Sequence, residues 1–314
     1  MGFNVLFIGC GNIAFRNFQG LLSKKLKLNI YLFDINNDNL SKFNKYFTRN
    51  NYFKSNIFFS NKINFKNKKF DLVLHCTTAD VRLKYCKLIS KQYFCRYIIL
   101  EKILSNDIKS LLKIKEIFRN KKNVYVNTSR RSMNFYQKIK KSYIRKDLLG
   151  LEVIGGKWGL ACNSIHFIDL MSWLVENNDY SIINHSFGRW YKSKRKGFYD
   201  ITGKIIIKFG DFYLKLFSST KKENNMMIFL KFKNREIIIN ESAMNCIIKQ
   251  NLQSIKIDLQ SELILTHLNN ILLNKKLDLP KVELSVDQHI KYISFFNNVW
   301  NIKKNQSLNF VPIT

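Results

Sequence analysis

The sequence predicts an α/β protein in two parts: an N-terminal doubly wound parallel sheet, and a C-terminal α+β domain with a large open mixed or antiparallel sheet. Three observations support this fold class. Over the first 126 residues, short apolar runs alternate with helical patterns, as successive βαβ units do. A glycine-rich turn follows the first apolar run. Beyond residue 150 the runs are richer in alternation and β-branched residues, which favours antiparallel strands.

The N-terminal elements are predicted in strict alternation. Strands are expected over residues 3–8, 28–33, 57–59, 70–75, 97–100 and 124–126. Helices are expected over residues 12–25, 38–47, 80–91 and 105–119, with Ser105 as the N-cap of the last. Right-handed crossovers would place all six strands in one parallel sheet covered on both faces.

The C-terminal part opens with the stretch GGKWGLACNSIHFIDLMSWL at residues 155–174, which predicts an almost wholly apolar helix containing His166 and Asp169. Strands are then expected over residues 182–190, 204–209, 212–217, 226–232, 235–240 and 245–249, and a last helix over about 285–302. We therefore expect a first domain over residues 1–126 and a second over 127–314. Packing of the last helix against the first domain is left open.

The net charge of +31 raises the question of nucleic-acid binding. Only 11 of the 53 basic residues are arginine, the side chain that best reads bases, and lysine is spread along the whole chain. The abundance of Asn, Lys, Ile and Phe, whose codons are A/T-rich, explains the charge as compositional drift. We expect no specific nucleic-acid partner, and a polyanion-binding protein is kept as a remote alternative.

The remaining composition favours a folded protein of the cytoplasm. No apolar run approaches the roughly 18 residues that span a bilayer, and the N-terminus lacks the features of a secretory signal. The six cysteines form no CxxC pair, which is typical of free thiols in a reducing compartment. No cluster of residues indicates a metal site, and no membrane partner is expected.

The glycine turn IGCGNIA has the pattern G-x-G-x-x-A, formed by Gly9, Gly11 and Ala14. In a Rossmann-type dinucleotide site the first glycine allows a tight turn and the second lets the backbone approach a diphosphate. The small third residue keeps helix and strand close together. The N–H groups at the start of the helix, here Asn12 and Ile13, would then point at the phosphates.

Asp34 lies at the end of the second predicted strand, about 20 residues past the turn, where the ribose-binding acid of such a site is expected. The alternative is that Asp34 only caps the following helix. A carboxylate there would repel a 2′-phosphate, so the sequence favours NAD over NADP as the cofactor.

Five segments, in order along nearly the whole chain, resemble the glucose–fructose oxidoreductase and inositol dehydrogenase superfamily (Gfo/Idh/MocA). After the glycine turn these are FDLVLHCTTADVRLKYC, YIILEKILSND, VNTSRRSMNFYQKIK, the helix with its H-x-x-D pattern, and LPKVELSVDQHIKYI. The resemblance implies a Rossmann domain followed by an α/β domain whose open sheet often mediates dimers.

The resemblance also implies roles for particular residues. Thr77, Thr78 and Glu101 would lie on the cofactor side. Lys102 would lie beside the nicotinamide and the substrate, and His166 would exchange the proton of the reacting hydroxyl, for which an imidazole is suited. The alternative for His166 is an ordinary core histidine.

Further candidates for the substrate side are Arg131, Cys162, Asn163, Asp169 and Arg195. Asp169 is expected rather to orient its helix, and a solvated basic loop is the alternative for Arg195. No metal is expected among them.

Three positions depart from the superfamily pattern. Ile103 replaces its proline, which could shift the backbone entering the next helix, and Arg82 replaces its histidine. Cys162 replaces the aspartate that many dehydrogenase members carry four residues before the helix histidine. A thiol relays protons poorly unless its pKa is depressed.

We interpret the sequence as an NAD(P)-dependent oxidoreductase acting on CH–OH groups of a sugar, sugar phosphate or nucleotide sugar. A link to surface-polysaccharide synthesis and a homodimer or homotetramer formed through the C-terminal sheet are further expectations. The alternatives are a non-catalytic dinucleotide-binding regulator and a redox-neutral enzyme with tightly bound NAD.

Overall fold

The computed structural model describes residues 2–23, 26–50, 54–221, 226–248 and 251–314. The chain forms two compact units, one made of Met1–Asn127 and Leu259–Val286 and the other of Thr128–Asp258 and Asp287–Thr314. The sequence predicted one boundary near residue 127, whereas the structure has two more, after Asp258 and after Val286. Lys25 and Lys249, the predicted ends of a helix and a strand, lie outside the described residues.

The first unit contains a six-stranded, all-parallel sheet, as predicted. Its strands are β1 (Phe3–Ile8), β2 (Leu28–Phe33), β3 (Asn56–Ser60), β4 (Lys69–His75), β5 (Phe94–Leu100) and β6 (Val124–Val126). They lie in the order β3-β2-β1-β4-β5-β6, so the order reverses between β1 and β4. The central strands are buried on both faces over their carboxyl halves, which is why their sequences are mainly apolar there.

Four helices connect these strands: α1 (Asn12–Ser23), α2 (Asn37–Arg49), α3 (Arg82–Gln92) and α4 (Ile108–Phe118). The prediction that Ser105 caps α4 is wrong. The N-cap is Asp107, whose carboxylate accepts a hydrogen bond from the Ser110 backbone N–H at 2.7 Å. The Ser105 hydroxyl instead donates to the Asp107 carboxylate at 3.3 Å, so the helix starts later than predicted.

The second unit contains the predicted mixed sheet, with eight strands in its described residues. They are β7 (Leu148–Gly155), β8 (Ser181–Lys192), β9 (Tyr199–Phe209), β10 (Phe212–Ser218), β11 (Met227–Phe232), β12 (Glu236–Asn240), β13 (Asn245–Ile248) and β14 (Asn251–Ser254). Their order is β14-β13-β12-β11-β7-β10-β9-β8. Only β7 and β10 are parallel among these neighbouring pairs. The sequence did not predict β7 or β14.

Helices α5 (Asn134–Asp147) and α6 (Leu160–Val175) belong to the second unit, and α6 packs on β9 and β10. Most of α6 is buried, which explains its almost wholly apolar sequence. Helix α7 (Gln260–Leu272) packs on α1 in the first unit. The last helix, α8 (Val282–Lys304), is longer at both ends than predicted.

Two further observations concern the whole composition. All six cysteines are free thiols, and four of them are buried: Cys10, Cys86, Cys162 and Cys246. In the ranges that the structure describes, no helix is both long and apolar enough to cross a bilayer.

Candidate functional site

The glycine turn after β1 packs closely against the loop that follows β4. Gly9 has a φ of +86°, in the left-handed region that favours glycine. A Cβ at Gly9 would lie 3.0 Å from the Thr77 backbone nitrogen and 3.1 Å from the Cys76 carbonyl carbon. At Gly11, by contrast, a Cβ would meet no atom within 4 Å. The packing of the protein therefore requires glycine at position 9 but not at position 11.

This contact lies where the strand order of the sheet reverses. β1 and β4 are neighbours there, and the Cys76 N–H donates to the Ile8 carbonyl at 2.7 Å, which joins the carboxyl ends of the two strands. Helix α1 begins at Asn12, so the N–H groups of its first turn lie at the same edge of the sheet. Open α/β sheets bind ligands at such a reversal.

The Asp34 carboxylate fixes the glycine turn from the end of β2. One oxygen accepts the Cys10 backbone N–H at 2.7 Å and the Asn39 side-chain amide at 3.0 Å. The other accepts the Asn36 backbone N–H at 2.8 Å. The alternative that Asp34 caps the next helix is wrong, because Asn36 is the N-cap of α2 and accepts the Asp38 backbone N–H.

The other predicted residues of the first unit follow β4 and β5, at the same edge of the sheet. Thr77 and Thr78 are half-buried, and the Thr77 hydroxyl donates to the Thr78 carbonyl at 3.3 Å. Glu101 and Lys102 follow β5 directly and are also half-buried. The peptide bond between Lys102 and the buried Ile103 is cis.

Arg82 begins α3 and is only 1 % exposed. Its Nε donates to the Leu104 carbonyl at 3.2 Å, and Nη2 donates to the Thr77 and Ile103 carbonyls at 2.6 and 3.3 Å. Its Nη1 donates to the His75 carbonyl at 2.8 Å and lies 3.4 Å from His75 Nδ1. Burial, together with the charge of Arg82, holds the pKa of His75 well below its usual value, so the imidazole is neutral and can accept.

In the second unit, α6 takes its N-terminal cap from another element. Its own N-cap residue is Gly159, with a φ of +87°. The Asp200 carboxylate on β9 accepts the backbone N–H groups of Ala161 and Ile201, both at 2.8 Å. A Cβ at Gly159 would lie 2.9 Å from the other Asp200 oxygen, so glycine leaves room for this carboxylate. Burial raises the pKa of Asp200, and these hydrogen bonds oppose the rise.

The predicted residues of α6 lie on its first two turns. The Cys162 thiol donates to the Tyr199 carbonyl at 3.6 Å, and its proximity opposes the rise in the pKa of the Asp200 carboxyl. The Asn163 side-chain amide donates to a backbone carbonyl in the preceding loop at 2.7 Å. His166 follows Cys162 by one helical turn and is half-buried. The thiol of Cys162 on α6 thus lies close to the Asp200 carboxylate on β9.

Arg131 and Asp169 form a buried bidentate ion pair. Nε of Arg131 donates to Oδ2 of Asp169 at 2.9 Å, and Nη2 donates to Oδ1. Burial raises the pKa of Asp169, while the charge of Arg131 opposes the rise. The pair ties the short turn Ser129–Ser132 to α6.

Arg195 lies in the exposed turn between β8 and β9. Its backbone N–H donates to the Ser193 hydroxyl at 3.2 Å, and Lys194 and Lys196 beside it are also exposed. Across the described ranges, no group of three or more His, Cys, Asp or Glu side chains is arranged to hold a metal ion.

The structure thus assembles the predicted residues into local groups. In the first unit they share the carboxyl edge of the parallel sheet, and in the second unit Arg131, Cys162, Asn163, His166 and Asp169 lie on or against α6, whereas Arg195 lies in an exposed turn. Sequence reasoning missed the role of Asp200, which lies far along the chain from α6. The only local signal was Gly159, since a helix that starts at glycine must take its cap from elsewhere.

The chain matches no protein-family model, and no curated protein sequence matches it. Solved structures share its fold over nearly all of its length. UDP-N-acetylglucosamine 3-dehydrogenase from Acidithiobacillus ferrooxidans has a TM-score of 0.68 and 11 % identity, over 95 % of this chain and 97 % of its own. An oxidoreductase from Agrobacterium radiobacter, in complex with NAD+, L-tartaric acid and magnesium, has 0.69 and 12 %, over 97 % of each chain.

Biliverdin reductase from Synechocystis sp. PCC 6803, in complex with biliverdin and NADP+, has a TM-score of 0.66 and 13 % identity, over 93 % of this chain and 97 % of its own. These three neighbours are named as a dehydrogenase, an oxidoreductase and a reductase. At this low sequence identity, the structural similarity establishes a shared fold and nothing more. The fold implied by the sequence resemblance is confirmed.

Proposed function

We propose that the protein is an NAD(P)-dependent oxidoreductase that transfers a hydride between the nicotinamide and a carbinol carbon of a sugar, sugar phosphate or nucleotide sugar. The observation that carries the proposal is the contact of Gly9 with the Thr77 loop where the strand order reverses. It sets the N-terminus of α1 beside the crevice where such sheets bind ligands. The fold shared with solved oxidoreductases supports the proposal.

The residues of the glycine turn fit the diphosphate of a dinucleotide. The N–H groups of Asn12 and Ile13 and the dipole of α1 favour an anion. Gly11 is exposed and makes no contact that needs glycine, so its missing side chain would serve the close approach of a phosphate. Asp34 accepts three hydrogen bonds from the protein, whereas a carboxylate offers about four positions, so one could accept a ribose hydroxyl.

We favour NAD over NADP because the Asp34 carboxylate would repel a 2′-phosphate. Ile35 follows Asp34 and is 76 % exposed, which adds an apolar surface suited to the face of an adenine ring. The neighbour from Agrobacterium radiobacter holds NAD+ and the neighbour from Synechocystis holds NADP+, so the shared fold accommodates either cofactor.

When bound, the nicotinamide supplies the hydride donor or acceptor. The chain itself has to handle the hydroxyl proton, which must leave when a carbinol is oxidised. We assign that proton to His166, because an imidazole can both accept and donate a proton in general acid–base catalysis. We assign the stabilisation of the developing alkoxide charge to the Lys102 ammonium. Thr77, Thr78 and Glu101 are assigned to the cofactor.

The substrate class is proposed from two features. The neighbour from Acidithiobacillus ferrooxidans is named as acting on a UDP-linked sugar. Arg195, beside Lys194 and Lys196, offers cations that a nucleotide sugar or sugar phosphate could engage. A role in surface-polysaccharide synthesis would follow from such a substrate.

We further propose a homodimer or homotetramer formed through the sheet of the second unit. Ile154 on β7 and Phe217 on β10 are paired in register, and each is 41 % exposed. Apolar side chains that are adjacent and exposed on one sheet face indicate a protein interface. The six free cysteines fit the reducing cytoplasm, which is the compartment we propose.

A second candidate function is a dinucleotide-binding regulator without hydride transfer. Cys162 favours it, because its thiol replaces the aspartate of many dehydrogenases and donates its proton to the Tyr199 carbonyl. A redox-neutral enzyme that keeps NAD bound through its reaction is a variant of the first proposal. Purified protein that carries stoichiometric dinucleotide would favour that variant.

Cofactor binding is tested by the change in NADH fluorescence on titration with the protein. Gly11→Val should abolish the change, because its side chain would occupy the approach to the turn. Arg16→Val, at an exposed position of α1, is the matched control and should bind normally. Binding by Gly11→Val equal to that of the unmodified protein would refute the assigned dinucleotide site.

Catalysis is tested with NAD and a panel of UDP-sugars and sugar phosphates. Lys102→Ala and His166→Ala should each lose most of their turnover and keep a small residual rate, while NADH affinity stays within about threefold. The exposed Lys109→Ala and His185→Ala are matched controls. Full turnover in both test variants would refute their roles. Cofactor binding without turnover of any substrate in the panel would favour the regulator.

A further inference from the structure

We infer that Arg82 is a positioning residue that holds the Lys102 segment in register with the glycine-turn edge of the first unit. The inference rests on the proposed function, in which Lys102 takes part in catalysis. Arg82 itself is buried among backbone carbonyls and is not assigned any contact with substrate or cofactor.

The hydrogen bonds of Arg82 join two loops that are far apart in the sequence. A guanidinium has five N–H groups, and Arg82 has five acceptors for them. Two belong to His75 and one to Thr77, in the segment that ends β4 and contacts Gly9. The other two are the carbonyls of Ile103 and Leu104, the residues directly after Lys102. One side chain therefore sets the backbone following Lys102 relative to the loop that packs on the glycine turn.

The stability of α3 does not explain this side chain. Arg82 is the first residue of α3, where the helix dipole disfavours a cation. The N-cap residue, Val81, makes no side-chain cap. The position is therefore unfavourable for the helix itself, and the side chain instead runs into the carboxyl edge of the sheet. Its planar fork also cannot be reproduced by lysine, which offers three donors on a single nitrogen.

The matched control has to weaken the same unit without touching this edge. Tyr93 is buried, and its hydroxyl donates to the Ile63 carbonyl at 3.1 Å. It precedes β5, so it lies at the amino ends of the parallel strands. Tyr93→Phe removes one buried bond to a carbonyl in the first unit and leaves the Lys102 segment alone.

The first measurement is hydrogen exchange on the cofactor-free protein, so it does not depend on activity. The Glu101 N–H donates to the His75 carbonyl, which also accepts from Arg82. In Arg82→Lys we expect amides of peptides covering residues 101–107 to exchange about tenfold faster than in the unmodified protein, as a local opening. Tyr93→Phe should leave them unchanged. Unchanged exchange of that segment in Arg82→Lys would overturn the inference.

The second measurement separates positioning from general destabilisation. Arg82→Lys should lower kcat by about tenfold while the NADH dissociation constant stays within about threefold. In the Lys102→Ala background, Arg82→Lys should lower the residual turnover by less than about twofold, because Arg82 affects catalysis only by positioning Lys102. If the two substitutions lower kcat independently, so that their effects multiply in the double variant, the inference is overturned.

Two outcomes keep the failures apart. If the unmodified protein binds NADH but turns over no substrate, the proposed function fails, and hydrogen exchange alone decides whether Arg82 orders the segment. If Arg82→Lys does not fold, Arg82→Gln is used instead, because it removes the buried charge and keeps an amide donor. Its residues 101–107 should also exchange faster than those of Tyr93→Phe, and equal exchange would refute the positioning role.

Discussion

The Asp200 carboxylate accepts a hydrogen bond from the backbone N–H of Ala161, 39 residues away, at 2.8 Å. It thereby caps the helix that carries His166 from a neighbouring strand. Leu160 and Ala161 are fully buried there, so the Ala161 N–H relies on this carboxylate and not on water.

Asp200→Ala should therefore destabilise the second unit by about 1–2 kcal/mol, as the loss of a helix cap does. Asp200→Asn keeps a carbonyl oxygen as an acceptor and should lose less. Denaturant unfolding measures both, and Asp211→Ala in the exposed turn after β9 is the control. An unfolding midpoint for Asp200→Ala equal to that of the control would contradict the capping role.

Gly9→Ala and Gly11→Ala should differ in stability although they lie two residues apart. At position 9 the left-handed backbone and contacts of 3.0–3.1 Å predict a loss of roughly 2 kcal/mol or more. At position 11 the new methyl group meets nothing, so the change should stay within about 0.5 kcal/mol. Thermal unfolding of the two variants measures the difference. Equal losses of stability would show that the backbone and packing at Gly9 do not require glycine.

The ion pair between Arg131 and Asp169 predicts a non-additive mutant series. Asp169→Asn should cost about 3–5 kcal/mol, because it leaves the Arg131 guanidinium buried without its counter-charge. Replacing both partners, as Arg131→Met with Asp169→Leu, should cost clearly less than the sum of the two single changes. A double-mutant cycle by chemical denaturation measures the coupling. Simple additivity would mean that the two charges do not depend on one another.

His267 on α7 predicts a loss of stability in acid. It is 2 % exposed, neither ring nitrogen has a hydrogen-bond partner, and burial lowers its pKa to about 4. An unfolded histidine titrates near 6.5, so below that pH the unfolded chain holds a proton that the folded chain lacks. The free energy of unfolding should fall as pH falls towards 4, by at most about 1.4 kcal/mol per unit.

His267→Leu should remove part of this acid dependence. The buried His75 should contribute to the acid dependence that remains, because its pKa is also lowered by burial and by the charge of Arg82. Unfolding is compared between about pH 7 and pH 5, with the exposed His185→Ala as control. The same slope in His267→Leu and in the unmodified protein would rule out His267 as a source.

Local patterns predicted much of the fold. β1, β2 and β6 were predicted to the residue, because strands buried on both faces give mainly apolar runs between polar turns. Helix α7 was missed although its apolar residues recur at helical spacing. Its N-cap position is Leu259, which has no capping side chain, and only Glu262 reaches back to the Leu259 N–H at 2.9 Å. A helix without a start signal is easily taken for a loop.

The same distinction holds for the candidate site. The pattern from Gly9 to Ala14 is local, and its turn was predicted because a few adjacent backbone angles decide it. The Asp200 cap and the fork of Arg82 could not be predicted, since each depends on residues brought together from distant parts of the chain. Side chains of these types are usually exposed, and only tertiary packing selects the few that are buried.

The return of Leu259–Val286 to the first unit has a consequence for how the protein is made. A Cβ at Gly20 of α1 would lie 2.2 Å from the Ser261 carbonyl oxygen, so α7 rests directly on the α1 backbone. During translation the strands of the amino-terminal sheet are synthesised first, but α7 is not available to cover α1 until residues 128–258 have been synthesised. Until then the apolar flank of α1 is available to chaperones, and a fragment ending at residue 127 would keep that flank uncovered and tend to aggregate.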